Sequence, residues 1–399
     1  MSTVSPARGT RPRNRAALIL AASADLFCER GYSQVAMADI AAAVAIRPSA
    51  LYRHFAGKQQ LLGEVVLGAQ ADIRERVDGL DGADREVWLP ALAEMALENR
   101  RIGVLWRRES RHLTAADQIR MREAVAGIRE RLGALTHAAR PDLDAAAAAR
   151  LAGFLSAALL SVSYHRLRLP RPEFARLLAE LAGAVLDADL PVALAAPVGP
   201  APRGVPPRSR REALLAEATR MFADRGFAEV GLDDIGTALG MTGAAIYHHF
   251  PTKLAILQCA FQRGNEWLWA EFTQAMTAAL DPADALHRLV RCYGSFAVHS
   301  ADLINLLITE GTQLAEPDRR RAHLSPRAYL DEWVELIRAV HPERDAVTAR
   351  IRVHAVLTAA NDVARSHRLR HHPAALDALQ AIGDALLGLP PETGALRDP

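Results

Sequence analysis

The chain has 399 residues, enough for two or three domains, and it is 50% hydrophobic and 24% charged, which excludes disorder as its general state. Net charge is only +2, but residues 1–62 hold eight basic side chains against three acidic ones, so the positive field gathers at one end and the remainder is slightly acidic. The three cysteines, Cys28, Cys259 and Cys292, are too few and scattered for a disulfide framework or a metal site and suit a reducing cytoplasm. No signal-like apolar core and no uninterrupted apolar run of about 20 residues argues for secretion or membrane spanning.

In chain order, a polar arm leads into a helix at 15–30, where Leu20, Ala24 and Phe27 fall at helical spacing and Gly31 supplies the stop. Met37 to Val44 and Pro48 to Phe55 read as two short helices joined by a tight turn, a helix-turn-helix. Longer helices follow, at 115–139 and 143–167 among others, and no strand pattern interrupts them. Leu190 to Arg208 then carries six prolines, which forbid helix and favour an extended linker.

After the linker the pattern starts again. Arg30-Gly31-Tyr32 recurs as Arg225-Gly226-Phe227, Asp39-Ile40 as Asp234-Ile235, and Leu51-Tyr52-Arg53-His54-Phe55 as Ile246-Tyr247-His248-His249-Phe250. Each pair is offset by 195, without a gap from Arg15/Arg210 to Leu62/Leu257. A constant offset over that length is a duplicated domain. The only two lysines of the chain, Lys58 and Lys253, obey the same offset, so a compact ammonium is wanted at one structural position twice.

The expected architecture is therefore all-α in two tandem units. An arm and first helix-turn-helix domain occupy 1–62, a first helical domain 63–189 and the linker 190–208. A second helix-turn-helix domain follows at 209–257, a second helical domain at 258–390 and a tail at 391–399. Helices at 317–340 and 344–367 are expected in the second half.

The second short helix of each copy has an outward face that packing alone does not require. Ser49, Ala50 and Arg53 form it in the first copy, Gly243, Ala244 and His248 in the second, while Leu51/Phe55 and Ile246/Phe250 turn to the core. Small residues at a helix start allow close approach to a groove, and the amide ends there suit phosphate. Tyr52, Tyr247, His54 and His249 can donate to phosphate oxygens, with Arg15 and Arg210 at the heads of the first helices and Lys58 and Lys253 as point charges against a backbone. In the first copy Arg47 precedes Pro48, which pre-forms the first turn, and Arg47 reads a guanine or grips phosphate. In the second Thr242 is the capping residue. An aromatic core cluster is the competing account of Tyr52, His54 and Phe55, and for Phe55 the better one.

The pattern Phe27-x3-Gly31, Asp39-Ile40-Ala41, Leu51-Tyr52-x-His54-Phe55-x-x-Lys58-x-x-Leu61-Leu62 resembles the DNA-binding domain of the TetR family of bacterial regulators, and the second copy matches it equally. The resemblance covers 13–65 and 208–260. It implies that the rest of each half is a helical ligand-binding and dimerisation domain, and that the chain is the rarer single-chain tandem type, similar to actinobacterial repressors of mce-type lipid-import operons. Its implied partners are a double-stranded DNA operator and a small apolar or lipid-like effector, with an intrachain pseudo-dimer binding DNA as a monomer. Where the family often has a capping Thr before Asp-Ile, this chain has Ala36 and Gly231, so that cap is expected to be missing.

For the effector, the second helical domain has the larger aromatic content, including Trp267 and Phe296. Asn305, Thr309 and Gln313 stand at i, i+4 and i+8 on a segment expected to be helical from 302 to 314, either as a solvated face or as the orienting stripe of a ligand site. No nucleophile elbow, phosphate loop or metal-ligand spacing is present, so the sequence supports no catalysis, metal or cofactor. A ligand-sequestering or scaffold protein with degenerate helix-turn-helix units is the rival reading, kept open by the net charge of only +1 over residues 203–257.

Overall fold

The structure, a computed structural model, describes residues 15–80, 84–191, 205, 207–311 and 316–390; the arm, most of the linker, Gln313 and the tail lie outside them. Among the described residues there are helices and turns and no strand. Two compact units are formed, one from residues 1–153 with 162–166, the other from 154–161 with 167–399.

In the first unit, α1 (Arg15–Arg30), α2 (Met37–Ala43) and α3 (Pro48–Leu51) make the reading head. The long α4 (Lys58–Asp78) leaves it, followed by α5 (Arg85–Glu98) and the single turn α6 (Ile102–Val104). That turn runs into a π-helical turn at Leu105–Glu109 and a 3-10 turn at Ser110–His112, then α7 (Ala115–Ala139) and α8 (Ala145–Leu160). Thr114 caps α7 by accepting from the Asp117 amide at 3.1 Å.

α9 (Arg171–Leu186), although it closes the first half in chain order, belongs to the second compact unit and packs there on α17 and α19. That unit continues with the second head, α10 (Arg210–Arg225), α11 (Leu232–Leu239) and α12 (Gly243–His249). It then adds α13 (Lys253–Ala278), α14 (Pro282–His299), α15 (Ala301–Glu310), α16 (Glu316–Val340), α17 (Ala346–Arg365), α18 (His367–Arg370) and α19 (Ala375–Leu387). The helix expected at 302–314 is α15, Ala301–Glu310, with 312–315 outside the described residues, and the one expected at 143–167 ends at Leu160 in a 3-10 turn.

The two heads have the same core, residue for residue. Ile19, Phe27, Val35, Ile40, Leu51, Phe55, Leu61 and Leu62 are buried in the first, and Leu214, Phe222, Val230, Ile235, Ile246, Phe250, Ile256 and Leu257, each 195 positions on, are buried in the second. At about 1.5–3 kcal/mol per large side chain this cluster is what makes three short helices stable.

Small residues set the spacing among the later helices of the second unit. Ala355, Ala359 and Ala360 of α17 are buried, and a Cβ added at Gly383 of α19 would lie 2.4 Å from Val290 Cγ1 of α14. Arg352, itself buried, donates to the Leu386 carbonyl at 2.8 Å and pairs with Glu180 of α9. One segment among the described residues, Ala145–Tyr164, is long and apolar enough to cross a membrane, although Arg150 interrupts it; most of its window is buried inside the protein, as in a core helix.

Candidate nucleic-acid interface and effector cleft

Each head builds its helix-turn-helix on a left-handed residue. In the second copy it is Gly240, φ 63°; in the first, 195 positions earlier, it is Ala45, φ 54°, a conformation an alanine adopts only under strain. The same backbone bond closes both turns, Ile46 N to Ala41 O at 3.0 Å and Met241 N to Gly236 O at 2.8 Å. At the start of α2 and α11 the cap expected to be lost is half retained, because Asp39 and Asp234 accept from the amides of Ala36 and Gly231, both at 2.8 Å. Those aspartates also face Arg30 and Arg225, at 3.9 and 3.5 Å, an exposed pair repeated in both heads.

The sequence predicts a helix over 48–55 in the first head. Only Pro48–Leu51 is α-helical, and the backbone closes in turns through the His54 and Phe55 amides, both donating to Leu51 O. Arg47, Pro48, Ser49, Tyr52, Arg53 and His54 are exposed, Ala50 is half-buried, and Leu51 and Phe55 are core. In the second head Thr242, Tyr247 and His248 are exposed and His249 is half-buried; of Gly243 and Ala244 only the backbone is described. Tyr52 and Tyr247, 55% and 59% exposed, are the large aromatics that a core role would have hidden. Thr242 stands at the N-cap of α12, but its side chain makes no capping bond. Arg15 is half-buried at the head of α1, and Arg210 is exposed at the head of α10.

The two lysines depart from the expectation. Lys58 Nζ donates to the Tyr32 carbonyl at 2.7 Å and lies 4.2 Å from the centre of the Tyr32 ring. Lys253 Nζ donates to the carbonyls of Phe227 and Val230, at 2.7 and 2.9 Å, and lies 4.4 Å from the Phe227 ring centre. Both ammonium groups are turned inward instead of outward as point charges for a DNA backbone. Burial lowers the Lys58 pKa, with the Glu109 carboxylate acting in the opposite direction.

A contact that sequence reasoning missed fastens each head to the helices that follow it in its own unit. Arg108 donates to the carbonyls of Phe27 and Cys28 at the end of α1, at 2.7 and 2.8 Å, and pairs with the buried Glu109, whose other oxygen accepts from the Tyr32 amide at 3.1 Å. His112 stacks on Tyr32 with ring centres 4.6 Å apart. In the sequence this contact shows only as a charged run, Trp106 to Arg111, where the second half has the far less charged 301–306. Burial here pushes the Cys28 thiol up to about 12, so it carries no thiolate chemistry at neutral pH.

Two residues of the proposed polar stripe, Asn305 and Thr309, are spent internally, and Gln313 lies outside the described residues. Asn305 donates to the Ala223 carbonyl at the end of α10 at 2.8 Å, and Thr309, buried, bonds back to the Asn305 carbonyl at 2.9 Å. Phe296 is core, packed edge-on against Trp267 at 5.1 Å. Trp267 does line a cleft of about 550 Å³, with Arg263 one turn away on α13, Leu215 and Thr219 of α10, and Asp302 and Leu303 of α15. Arg263 pairs with Glu212 across this space at 3.2 Å. Asp302 is held above the ordinary carboxylate range, first by burial and then by Asp224, while Arg370 and Arg220 act to lower it. The cleft lies between the first helix of the head and the helices that follow it; of the residues expected at a ligand site, Trp267 lines it.

The family of bacterial regulatory proteins named tetR matches the chain at two places, residues 19–65 and 214–259. No curated protein matches it. Among solved structures it is similar to the ketosteroid transcriptional regulator KstR2 of Mycobacterium tuberculosis, at 23% identity over 46% of this chain and 95% of that one, TM-score 0.41. It is also similar to the TetR family transcriptional regulator PfmR from Thermus thermophilus, at 23% identity over 45% and 97%, TM-score 0.40. A third, AibR, solved in complex with isovaleryl coenzyme A and operator DNA, is 17% identical over 45% and 97%, TM-score 0.38. Each spans about half of the present chain, and the two matched segments are the two heads built above. The chain thus carries two tetR-type helix-turn-helix heads, one at the start of each half.

Proposed function

We propose that this chain is a ligand-released repressor that grips one operator with two non-identical heads carried on a single polypeptide. The observation that carries the reading is the pairing of one shared core with unlike sequences at the start of the two reading helices: the buried residues repeat at 195, whereas Arg47, Pro48 and Ser49, exposed in the first head, are replaced in the second by Thr242, also exposed, and by Gly243 and Ala244. A family member with one head reads two half-sites by dimerising; a chain with two heads needs no second copy. The packing of α9 on α17 and α19 supports an internal pseudo-dimer, since helices that close the first and second halves share one compact unit. The cytoplasm, where three unpaired cysteines persist, is the matching compartment.

The cleft beside Trp267 supports a small apolar or amphipathic effector in the second half. A molecule that fills it bears on α10 and α15 together, the two helices joined by Asn305, and so alters the seat of the second head. Linkage requires that it bind the free protein more tightly than the DNA complex by the factor with which it weakens DNA binding.

The test is a footprint on the DNA upstream of the chain's own gene, at stated salt, with the mass of the complex measured in parallel. One chain over two unlike half-sites about one helical turn apart is the expected result. A perfectly palindromic footprint, or two chains on the minimal site, refutes the single-chain arrangement. Loss of all specific binding favours the ligand-sequestering alternative, which the low net charge of the second head keeps in play.

A further inference from the structure

We propose that Lys58 and Lys253 are positioning residues for the reading heads: each clamps the turn after the head's first helix onto the first residue of the long helix that leaves the head, and neither is a DNA-phosphate ligand. The clamp occurs twice with the same parts. In the first head Lys58, the first residue of α4, reaches back 26 positions to the Tyr32 carbonyl and the Tyr32 ring. In the second Lys253, the first residue of α13, reaches back 26 positions to the Phe227 carbonyl and the Phe227 ring, and adds the Val230 carbonyl at 2.9 Å.

The chemistry explains why lysine stands at these two positions in a chain whose other cationic side chains, of 48 Lys and Arg in all, are arginines. An ammonium is compact and has three donors in tetrahedral directions, so one nitrogen can serve a carbonyl below it and a ring face beside it. A guanidinium is planar and forked, built for a carboxylate or phosphate; carbonyls that converge on a single point leave its outer donors misdirected. A phosphate contact would tolerate or favour arginine. The use of lysine at both places, with the nitrogen 2.7 Å from a carbonyl in each, fits an internal clamp.

The carbonyls concerned belong to the turn between helix one and helix two, outside the helical ladders; the Tyr32 carbonyl also accepts from the Val35 amide at 3.3 Å, so the ammonium adds a second donor to it. Gly31 and Gly226 turn the chain there with φ of 84° and 92°, and in the first head Tyr32 opens a 3-10 turn. Besides the clamp, this turn and the long helix meet through the apolar core and, in the first head, through His112, which stacks on Tyr32 and accepts from Gln59 of α4 at 3.0 Å. The lysine therefore fixes how each head is mounted on the helix that connects it to the effector region, and acts on DNA through that mounting. This rests on the DNA-binding reading for its second readout only.

The experiment uses the full chain and two variants at each position, Lys58→Met and Lys58→Arg, Lys253→Met and Lys253→Arg. The first readout is hydrogen exchange without DNA at the amides of residues 32–35 or 227–230. The second is the salt dependence of binding to the footprinted DNA. The clamp predicts exchange at least about tenfold faster in both Met and Arg variants of the affected head, weaker DNA binding in both, and a salt slope unchanged from the parent. A slope lower by about 0.9 in the Met variant, with binding restored by Arg and exchange unaltered, assigns the lysine to a phosphate and overturns the proposal. Unaltered exchange in both variants overturns it equally, whatever the DNA result. Should a Met variant fail to fold, the charge-preserving Arg variant still separates the two roles, because only a clamp is damaged by it.

Discussion

Arg108 and Asn305 perform the same task with different chemistry: each donates to the carbonyl of the residue three before its head's helix-ending glycine, Cys28 before Gly31 and Ala223 before Gly226. The accepting residues are 195 apart, but the donors are two positions out of register, so the contact was kept while the segments that supply it diverged. Both carbonyls lie in the last turn of a helix, where no intrahelical donor remains. In the first half the donor is a charged guanidinium backed by buried Glu109; in the second it is a neutral amide.

Truncating these donors should therefore cost unequal amounts. Asn305→Ala removes one neutral hydrogen bond and is expected to destabilise the second head by about 1 kcal/mol. Arg108→Ala also strands the Glu109 carboxylate inside the protein and is expected to cost about 3 kcal/mol or more. Hydrogen exchange at the amides of residues 25–31 and 220–226 reads the two heads separately; equal effects in both would mean that Glu109 does not depend on Arg108.

Ala45 and Gly240 supply a second matched pair. The left-handed conformation costs a non-glycine residue about 1–2 kcal/mol, so Ala45→Gly should stabilise the first head by about 1 kcal/mol, and Gly240→Ala should destabilise the second by a similar amount. Nothing lies within 4 Å of a Cβ added at Gly240, so conformation alone sets that cost. Denaturant titrations of the single variants, compared with the double variant, are expected to give opposite shifts that add.

Exposed residues at the start of the reading helices should carry operator asymmetry. Replacing Arg47-Pro48-Ser49 by Thr-Gly-Ala gives the first head the face of the second. Selection from a random DNA pool should then return sites closer to a palindrome than those of the parent chain. Arg47→Ala alone should relax preference at one base position if its guanidinium reads a base edge, or lower the salt slope by about one if it grips phosphate. Unchanged sites from the three-residue swap would place sequence reading elsewhere in the head.

His354, on α17, is predicted to make the second unit sensitive to acid. Burial, and then the neighbouring Arg350, push its pKa down from 6.5 to about 4. A base whose folded pKa is depressed stays neutral in the folded state while the unfolded chain takes up the proton. Nothing is lost above pH 6.5, and stability falls as pH drops from 6.5 towards 4, by about 3 kcal/mol in all. In His354→Gln that part of the pH dependence should vanish; a slope identical to the parent's over this window would show that another group titrates there.

The sequence by itself determined the duplicated heads, their cores and the punctuation between their helices. Phe27, Ile40, Leu51 and Phe55 fall at helical spacing and recur at a constant offset, and the burial of apolar side chains at such spacing is a local property of a chain that folds as helices. Tertiary structure decided what the polar side chains do. Lys58 read from the chain as a donor to a DNA backbone and Asn305 as part of a solvated face or a ligand stripe, but each has carbonyls of a segment 26 or 82 residues earlier within reach, and only the packing of helices puts those acceptors there. The grouping of α9 with α17 and α19 is hidden for the same reason: an apolar face announces that it will be covered, and only the folded chain selects the surface that covers it.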